Sequence, residues 1–266
     1  MILIRPLLRF FQIIYCLYAY SLFAVVITVV LFPCLLICLP LGRIRGGNIM
    51  FDLYRLLGKV WFLLIGIRHI NIYKSRPAAD EQYIFVANHI SYLDAVAIIL
   101  SIKHHFRAIG KYELLKVPIF GFLYRFCVVT VNRSSAEDRA RSLADLRKIL
   151  AKNISIAVFP EGTFNMADAP LKEMYDGAFK LAFETGKKIQ PVLFLDTYDR
   201  LHYDSIFSLR PGRSRAVFLD TIDPSEFPQA DPRELKRITA EKMSSALVAY
   251  KATWISEFYL ENKNHG

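Results

Sequence analysis

A run of 31 residues without charge limits what the N-terminal part of this chain can form. Residues 10–40 contain no Asp, Glu, Lys or Arg. As an α-helix the run would be about 45 Å long, against about 30 Å of bilayer hydrocarbon. It therefore favours a helix that crosses a membrane with tilt, or one that bends at Pro33 and returns to the same side. A cleaved signal peptide is disfavoured because the stretch is too long for one.

A second apolar segment, residues 49–70, carries a narrow polar stripe. Asp52, Arg55 and Lys59 recur at helical spacing, and large apolar residues cover the other faces. This pattern favours a helix lying in the membrane interface, with Trp61 near the headgroups, over a core helix of a soluble domain. We therefore predict that residues 1–70 form a membrane-embedded pair of anchoring helices.

Composition supports a chain held at a membrane surface. Of the 266 residues 54% are hydrophobic and 22% are charged, which is too apolar for an ordinary soluble domain and too charged for a polytopic membrane protein. The net charge is +10, which suits an anionic leaflet. No nucleic-acid-binding motif accompanies the dispersed basic residues, so we expect no nucleic-acid partner. No Cys/His cluster has the spacing of metal ligands, and we expect neither a metal nor an organic cofactor.

The remainder, residues 71–266, is predicted to be one catalytic domain of the α/β class. Short apolar runs alternate with helical ones, a pattern typical of a sheet covered by helices on both faces. The predicted strands are residues 69–74, 83–88, 107–110, 128–132, 155–159, 189–195 and 215–219. The predicted helices are residues 92–101, 119–126, 136–152, 176–185 and 231–262.

The second predicted strand is followed by two side chains that have the chemistry of a general base and its partner. His89 leaves the strand end, and Asp94 follows five residues later. An imidazole takes a proton near neutral pH, and a carboxylate on its far nitrogen fixes the tautomer. The alternative is a helix-capping box formed by Ser91 and Asp94, in which the carboxylate binds only backbone N–H groups. Spacing alone leaves both interpretations open.

Three further places have two interpretations each. After the strand at residues 155–159 comes Pro160-Glu161-Gly162-Thr163, in which Glu161 could hold a hydroxyl of a small polyol and Gly162 lets a ligand approach the backbone. The alternative is a turn without a role. Arg133 and Lys111 each end a predicted strand, where they could clamp a phosphate or simply be solvated charges.

Together these segments resemble the glycerolipid acyltransferases, whose best-known members are the 1-acyl-glycerol-3-phosphate acyltransferases. The resemblance covers roughly residues 84–195. Its four blocks, in the family's order, are Asn88-His89 with Asp94, Val131-Asn132-Arg133, Phe159-Pro160-Glu161-Gly162-Thr163, and Pro191-Val192. Four blocks in order are far more specific than one His-x4-Asp. The proline of the last block predicts an edge or irregular strand.

The resemblance implies a fold, a reaction and a set of site residues. The fold would be a glycerol-3-phosphate acyltransferase-like mixed sheet. A fatty acyl group would pass from acyl-CoA or acyl-carrier protein to the hydroxyl of a lyso-lipid, most simply 1-acyl-sn-glycerol-3-phosphate. His89 and Asp94 would be catalytic, and the substrate would be bound by Lys111, Arg133, Glu161, Gly162 and Thr163. The place of action would be a membrane surface, in a bacterium the cytoplasmic face of the inner membrane.

The chain departs from the family at Phe164. Many members that use lysophosphatidate carry an arginine there, thought to contact the acceptor's phosphate. Either Lys111 and Arg133 suffice, or the acceptor is a lyso-aminolipid or a lysophospholipid with a blocked phosphate. A non-catalytic lipid-binding protein and a thioester hydrolase are the competing functions.

Overall fold

The charge-free run forms one long helix. A computed structural model describes residues 4–118, 120–131, 135–227, 231–257 and 259. Helix α1, Ile4–Leu41, continues through Pro33, so the chain does not turn back at that proline. At 38 residues it is about 57 Å long. Within the described ranges it contains the single stretch, Pro6–Val30, that is long and apolar enough to cross a membrane.

A second helix runs back along the first. A π-helical turn, Gly42–Gly46, links α1 to α2, Gly47–Leu64. Near the turn, a Cβ on Gly46 would lie 2.9 Å from Cα of Cys38. Far from the turn, Trp61 Nε1 donates a hydrogen bond of 2.9 Å to the carbonyl of Ala19. The helix ends earlier than predicted because Gly66, at φ +71°, turns the chain into the first strand.

Arg55, in the polar stripe of α2, binds the rest of the protein, whereas Asp52 and Lys59 are exposed. Arg55 donates hydrogen bonds to the carbonyls of Ile102 and Lys103 and pairs with Asp52 at 2.8 Å. Trp61 is only 4% exposed, because it packs against Phe23 of α1. Amphipathic periodicity identified the polar face but not the surface that it meets, because the carbonyl groups that Arg55 binds lie 47 residues away.

Seven strands form a mixed sheet in the order β1-β7-β6-β2-β5-β3-β4. All neighbouring strands are parallel except β6 and β7. The predicted α/β class with a mixed sheet is therefore confirmed. The strands are β1 Ile67–Tyr73, β2 Ile84–Ala87, β3 Phe106–Lys111, β4 Val128–Val131, β5 Ser155–Val158, β6 Ile189–Phe194 and β7 Gly212–Phe218. Strand β1 crosses the predicted domain boundary at residues 70 and 71.

Helices cover both faces of the sheet, and β2 shows how. Its residues alternate, so Ile84 and Val86 pack in one core with helices α5, α6 and α8, while Phe85 and Ala87 pack in a second core with α2, α3 and α4. These helices are α3 Asp94–Ser101, α4 Phe120–Cys127, α5 Ala136–Leu150, α6 Gly177–Thr185 and α8 Pro232–Ala249, and a short helix, α7, spans Thr197–Arg200.

Two further predictions need correction. The last helix was predicted to continue to residue 262, but α8 ends at Ala249 and Lys251 adopts a left-handed φ of +53°. Pro191 lies in β6, an interior strand between β7 and β2, so an edge position is wrong. The pairing is irregular there, as expected, because the antiparallel register with β7 begins only at Val192.

Arg107 of β3 joins the helix pair to the sheet. Its guanidinium is buried and donates hydrogen bonds of 3.0 Å to the carbonyls of Arg43 and Ile44 in the π-helical turn. A third bond goes to Asn48 at the start of α2. Burial lowers the pKa of Arg107 below its usual value. The turn that ends α1 is thereby held against strand β3 of the sheet.

Candidate active site

The loop that carries His89 is fixed where β2 ends. Asn88 is fully buried, and its side chain substitutes for a backbone peptide. Its amide nitrogen donates to the carbonyl of Phe194 at 3.1 Å, and its amide oxygen accepts from Phe194 N–H at 2.8 Å. Strand β6 therefore holds the residue before His89 from both sides.

His89 and Asp94 form a hydrogen-bonded pair. Nδ1 of His89 lies 2.9 Å from Oδ2 of Asp94. The same oxygen accepts from the backbone N–H groups of Ile90, at 2.7 Å, and Ser91, at 2.9 Å. Asp94 is fully buried at the start of α3, where the helix dipole favours an anion. Both interpretations of this aspartate thus describe real contacts, since one carboxylate caps the loop and orients the imidazole.

Two phenylalanines fix the plane of the His89 ring. Phe159 stacks on it with the ring centroids 4.3 Å apart and the planes 19° apart, and Phe164 meets it edge-on at 4.5 Å. Tyr92 in turn packs edge-on against Phe164. The His89 side chain is 21% exposed, and within the described residues its Nε2 has no hydrogen-bond partner. That nitrogen is free to accept a proton from a bound ligand.

Glu161 is buried and holds two loops together. Its Oε1 accepts from the backbone N–H of His89 at 2.8 Å, and its Oε2 accepts from that of Lys172 at 2.8 Å. Burial raises the pKa of Glu161 to about 7, although both backbone hydrogen bonds oppose the rise. The residue is 1% exposed. In this arrangement both oxygens are already engaged, so the predicted contact with a ligand hydroxyl would require one of them to exchange partners.

Gly162 and Thr163 follow at the rim of a cavity. Gly162 has a φ of +73°, a left-handed conformation in which a Cβ is strained. Thr163 is exposed, and its Oγ1 accepts a hydrogen bond of 2.8 Å from Nζ of Lys172. Lys111 ends β3 and lines the same cavity. Arg133 lies outside the described residues.

The cavity is mostly apolar and has a volume of about 1150 Å³. His89 lines it together with Gly162, Thr163 and Phe164, and apolar side chains extend from there between α1, α2, α3 and β3. Examples on these elements are Val30, Phe51, Ile98 and Ala108. A long hydrocarbon chain is the kind of ligand that such a wall accommodates.

The site also contains residues whose roles the sequence analysis did not identify. Asn88 was identified only as part of the first family motif. Phe159 and Phe164 were not predicted to contact the imidazole. Lys172 was not singled out, because its closeness to Thr163 depends on a loop that turns back on itself. The turn-forming residues Asn165, Asp168 and Pro170 after Thr163 were the available signal for such a loop.

Comparison with known proteins agrees with the motifs. Residues 69–195 match the acyltransferase family. The 1-acyl-sn-glycerol-3-phosphate acyltransferase of Haemophilus influenzae is 28% identical over 219 residues, which cover 79% of this chain and 88% of that protein. A similarly named protein of Chlamydomonas reinhardtii is 28% identical over 151 residues, covering 56% of this chain. This chain spans about half the length of that protein and of an Arabidopsis thaliana relative, at 45% and 52%.

A solved structure has the same fold. The crystal structure of the 1-acyl-sn-glycerophosphate (LPA) acyltransferase, PlsC, from Thermotoga maritima superposes with a TM-score of 0.75 at 23% identity. The match covers 92% of this chain and 99% of that one. Residues 69–195 therefore form a domain of the acyltransferase family, as the four sequence blocks predicted.

Proposed function

We propose that this protein transfers a fatty acyl group from a thioester donor, acyl-CoA or acyl-carrier protein, to the free hydroxyl of a lyso-lipid. The proposed acceptor is 1-acyl-sn-glycerol-3-phosphate, which would give phosphatidic acid. The observation that carries this proposal is the His89–Asp94 pair, 2.9 Å apart, at an apolar cavity of about 1150 Å³. The relatives named 1-acyl-sn-glycerol-3-phosphate acyltransferases support the choice of acceptor.

The reaction needs one proton relay and no covalent enzyme intermediate. Nε2 of His89 takes the proton of the acceptor hydroxyl as its oxygen bonds to the thioester carbonyl carbon. Asp94 stabilises the imidazolium that results. As the tetrahedral intermediate collapses, the carbon–sulfur bond breaks and the departing thiolate takes the proton back from His89. A thioester is already activated, so a serine or cysteine nucleophile is not required.

The other predicted site residues would hold the acceptor. Lys111 and Arg133 would bind its phosphate, and Gly162 lets the ligand approach the backbone beside Thr163. Glu161 would act mainly by positioning, because it fixes the backbone of His89 through a hydrogen bond of 2.8 Å. The apolar part of the cavity would accommodate an acyl chain.

A bilayer is the proposed surrounding of the N-terminal helices. Helix α1 exposes many large apolar side chains, including Phe10, Leu17, Val25 and Phe32 at 55–67% exposure. Water would penalise such a surface, whereas lipid would not. Residues 1–70 would then anchor residues 71–266 at the membrane, in a bacterium on the cytoplasmic face of the inner membrane.

The test is acyl transfer by purified protein. Thiol release from acyl-CoA is followed with and without lysophosphatidate, in wild type and in His89→Ala. We expect wild-type release that depends on the acceptor, and a loss of about 10²–10⁴-fold in His89→Ala, the usual contribution of a general base. Both proteins should sediment with lipid vesicles.

The matched control is His105→Ala, since His105 lies on the surface and pairs with Asp52. It should retain wild-type activity. Normal turnover in His89→Ala would refute the mechanism. Release that is equally fast without a lyso-lipid would identify a thioester hydrolase instead.

A further inference from the structure

An acceptor phosphate at this site needs cations within reach of the rim that Gly162 and Thr163 form. Phe164 presents an aromatic ring to His89 and so supplies no charge. Among the described residues that line the cavity, Lys111 is the one with a cationic side chain. A phosphomonoester carries between one and two negative charges near neutral pH and has three acceptor oxygens. One flexible lysine leaves much of that charge without a partner.

Lys172 brings a second ammonium group to this rim. Its Nζ lies 2.8 Å from Oγ1 of Thr163, although nine residues separate the two along the chain. Thr163 lines the cavity, so the ammonium lies one hydrogen bond from a cavity-lining atom. Within the described residues no carboxylate forms a salt bridge with Lys172. Glu161 acts on the ammonium through space, but both of its carboxylate oxygens are bound by backbone N–H groups, so the ammonium can bind a ligand.

The fold fixes the loop that delivers this lysine. Buried Asn165 donates from its backbone N–H to the carbonyl of His89 at 2.7 Å, and its side-chain amide donates to the carbonyl of Ala169 at 2.9 Å. At the far end, the backbone N–H of Lys172 is bound by Glu161 at 2.8 Å. The backbone at both ends of the loop is thus tied to the His89 region, and only the exposed lysine side chain is free to adjust.

We propose that Lys172 and Thr163 form a phosphate-binding subsite for the acceptor, in addition to Lys111. The ammonium donates to a phosphate oxygen, and the Thr163 hydroxyl, once released as an acceptor for Lys172, donates to a second. This subsite gives the site a preference for acceptors with a terminal phosphomonoester. The proposal rests on the proposed acyl-transfer function for its substrate, but its test is a binding measurement.

The decisive variant is Lys172→Met, which keeps the length of the side chain and the backbone N–H bonded to Glu161. Binding of lysophosphatidate is measured by titration calorimetry in detergent micelles, in a His89→Ala background so that no turnover occurs. A charged hydrogen bond at an exposed site should make the Kd rise about ten-fold. Lys172→Arg should bind nearly as wild type, and Lys152→Met, at an exposed lysine elsewhere, should leave the Kd unchanged.

A second acceptor separates recognition of charge from a general change of the loop. A lysophospholipid whose phosphate is esterified should bind equally well to Lys172→Met and to the parent protein. Equal weakening for both acceptors, or an unchanged Kd for lysophosphatidate, would overturn the subsite. In turnover with His89 restored, Lys172→Met should raise KM and leave kcat unchanged. If the wild type transfers no acyl group to any lyso-lipid, the proposed function fails while the binding result still decides the subsite.

Discussion

Replacing Asp94 by asparagine separates its capping role from its charge. In the structure Oδ2 accepts three hydrogen bonds, from His89 Nδ1 and from the N–H groups of Ile90 and Ser91. Within the described residues Oδ1 is buried and has no partner. An asparagine therefore places its oxygen where Oδ2 lies and its NH₂ where Oδ1 lies, because the reverse orientation would leave two backbone donors without an acceptor. The loop, the cap and the His89 tautomer are all retained.

Two costs follow from this arrangement. The buried NH₂ has no acceptor, which should lower the free energy of unfolding by about 1–3 kcal/mol. The imidazolium formed during transfer loses its counter-ion. A charge-assisted hydrogen bond is worth about twice a neutral one, and two charges 4 Å apart interact by about 4 kcal/mol at an effective dielectric of 20. We therefore expect kcat to fall by about 10²-fold, with KM for the acceptor unchanged.

The measurement pairs thiol-release kinetics with chemical denaturation of the same samples. Asp231→Asn is the matched control, because Asp231 caps α8 by accepting from the N–H groups of Arg233 and Glu234 far from His89. It should keep full activity. Wild-type kcat in Asp94→Asn, together with the expected loss of stability, would show that the aspartate only caps the loop and would refute its electrostatic role.

Two further predictions concern the Glu161 loop. Because the pKa of Glu161 is raised from 4.5 to about 7, the folded state holds a proton that the unfolded chain loses above pH 4.5. As the pH rises from 4.5 to 7, the free energy of unfolding of the wild type should therefore fall by up to about 3 kcal/mol relative to that of Glu161→Gln. Chemical denaturation of both proteins across this pH range measures the difference. If the two proteins show the same pH dependence, the pKa of Glu161 is not raised. Gly162→Ala should lower the free energy of unfolding by about 1–2 kcal/mol, because Gly162 has a left-handed φ of +73°. Gly177→Ala is the control, since Gly177 has open space around it in helix α6, and it should not lower the free energy of unfolding. Equal effects of the two substitutions would exclude backbone strain as the cause.

Local patterns were enough to predict most elements of the fold. All seven predicted strands are present, and β2 shows why, since Ile84-Phe85-Val86-Ala87 is a fully buried apolar run bounded by polar residues. The end of the last helix was missed because an amphipathic pattern continues beyond Ala249, where only tertiary contacts decide the stop. The direction of the Arg55 stripe was missed for a similar reason. A sequence reports that a face is polar, but not which surface it meets.

The sequence indicated individual residues of the candidate site but not the long-range contacts between them. The spacing of His89 and Asp94 suggested a local pair, and their hydrogen bond is local. The contact between Glu161 and the backbone of His89 joins residues 72 positions apart, and spacing carries no information about it. A ligand-binding role was therefore the natural prediction for a carboxylate that in the structure holds the loop of His89. The same limit applies to Lys172, which reaches Thr163 only because buried Asn165 shapes the loop between them.

Strand order explains how separate segments of the chain become one site. Strands β2, β5 and β3 are neighbours and parallel, so their carboxyl ends meet at one edge of the sheet. His89 follows β2, Gly162 and Thr163 follow β5, and Lys111 ends β3. Neighbouring strands are about 4.8 Å apart, so the backbones of His89 and Lys111 are separated by about 10 Å. An acceptor bound in this direction would have its hydroxyl at His89 and its phosphate over β5, where Thr163 and Lys172 lie.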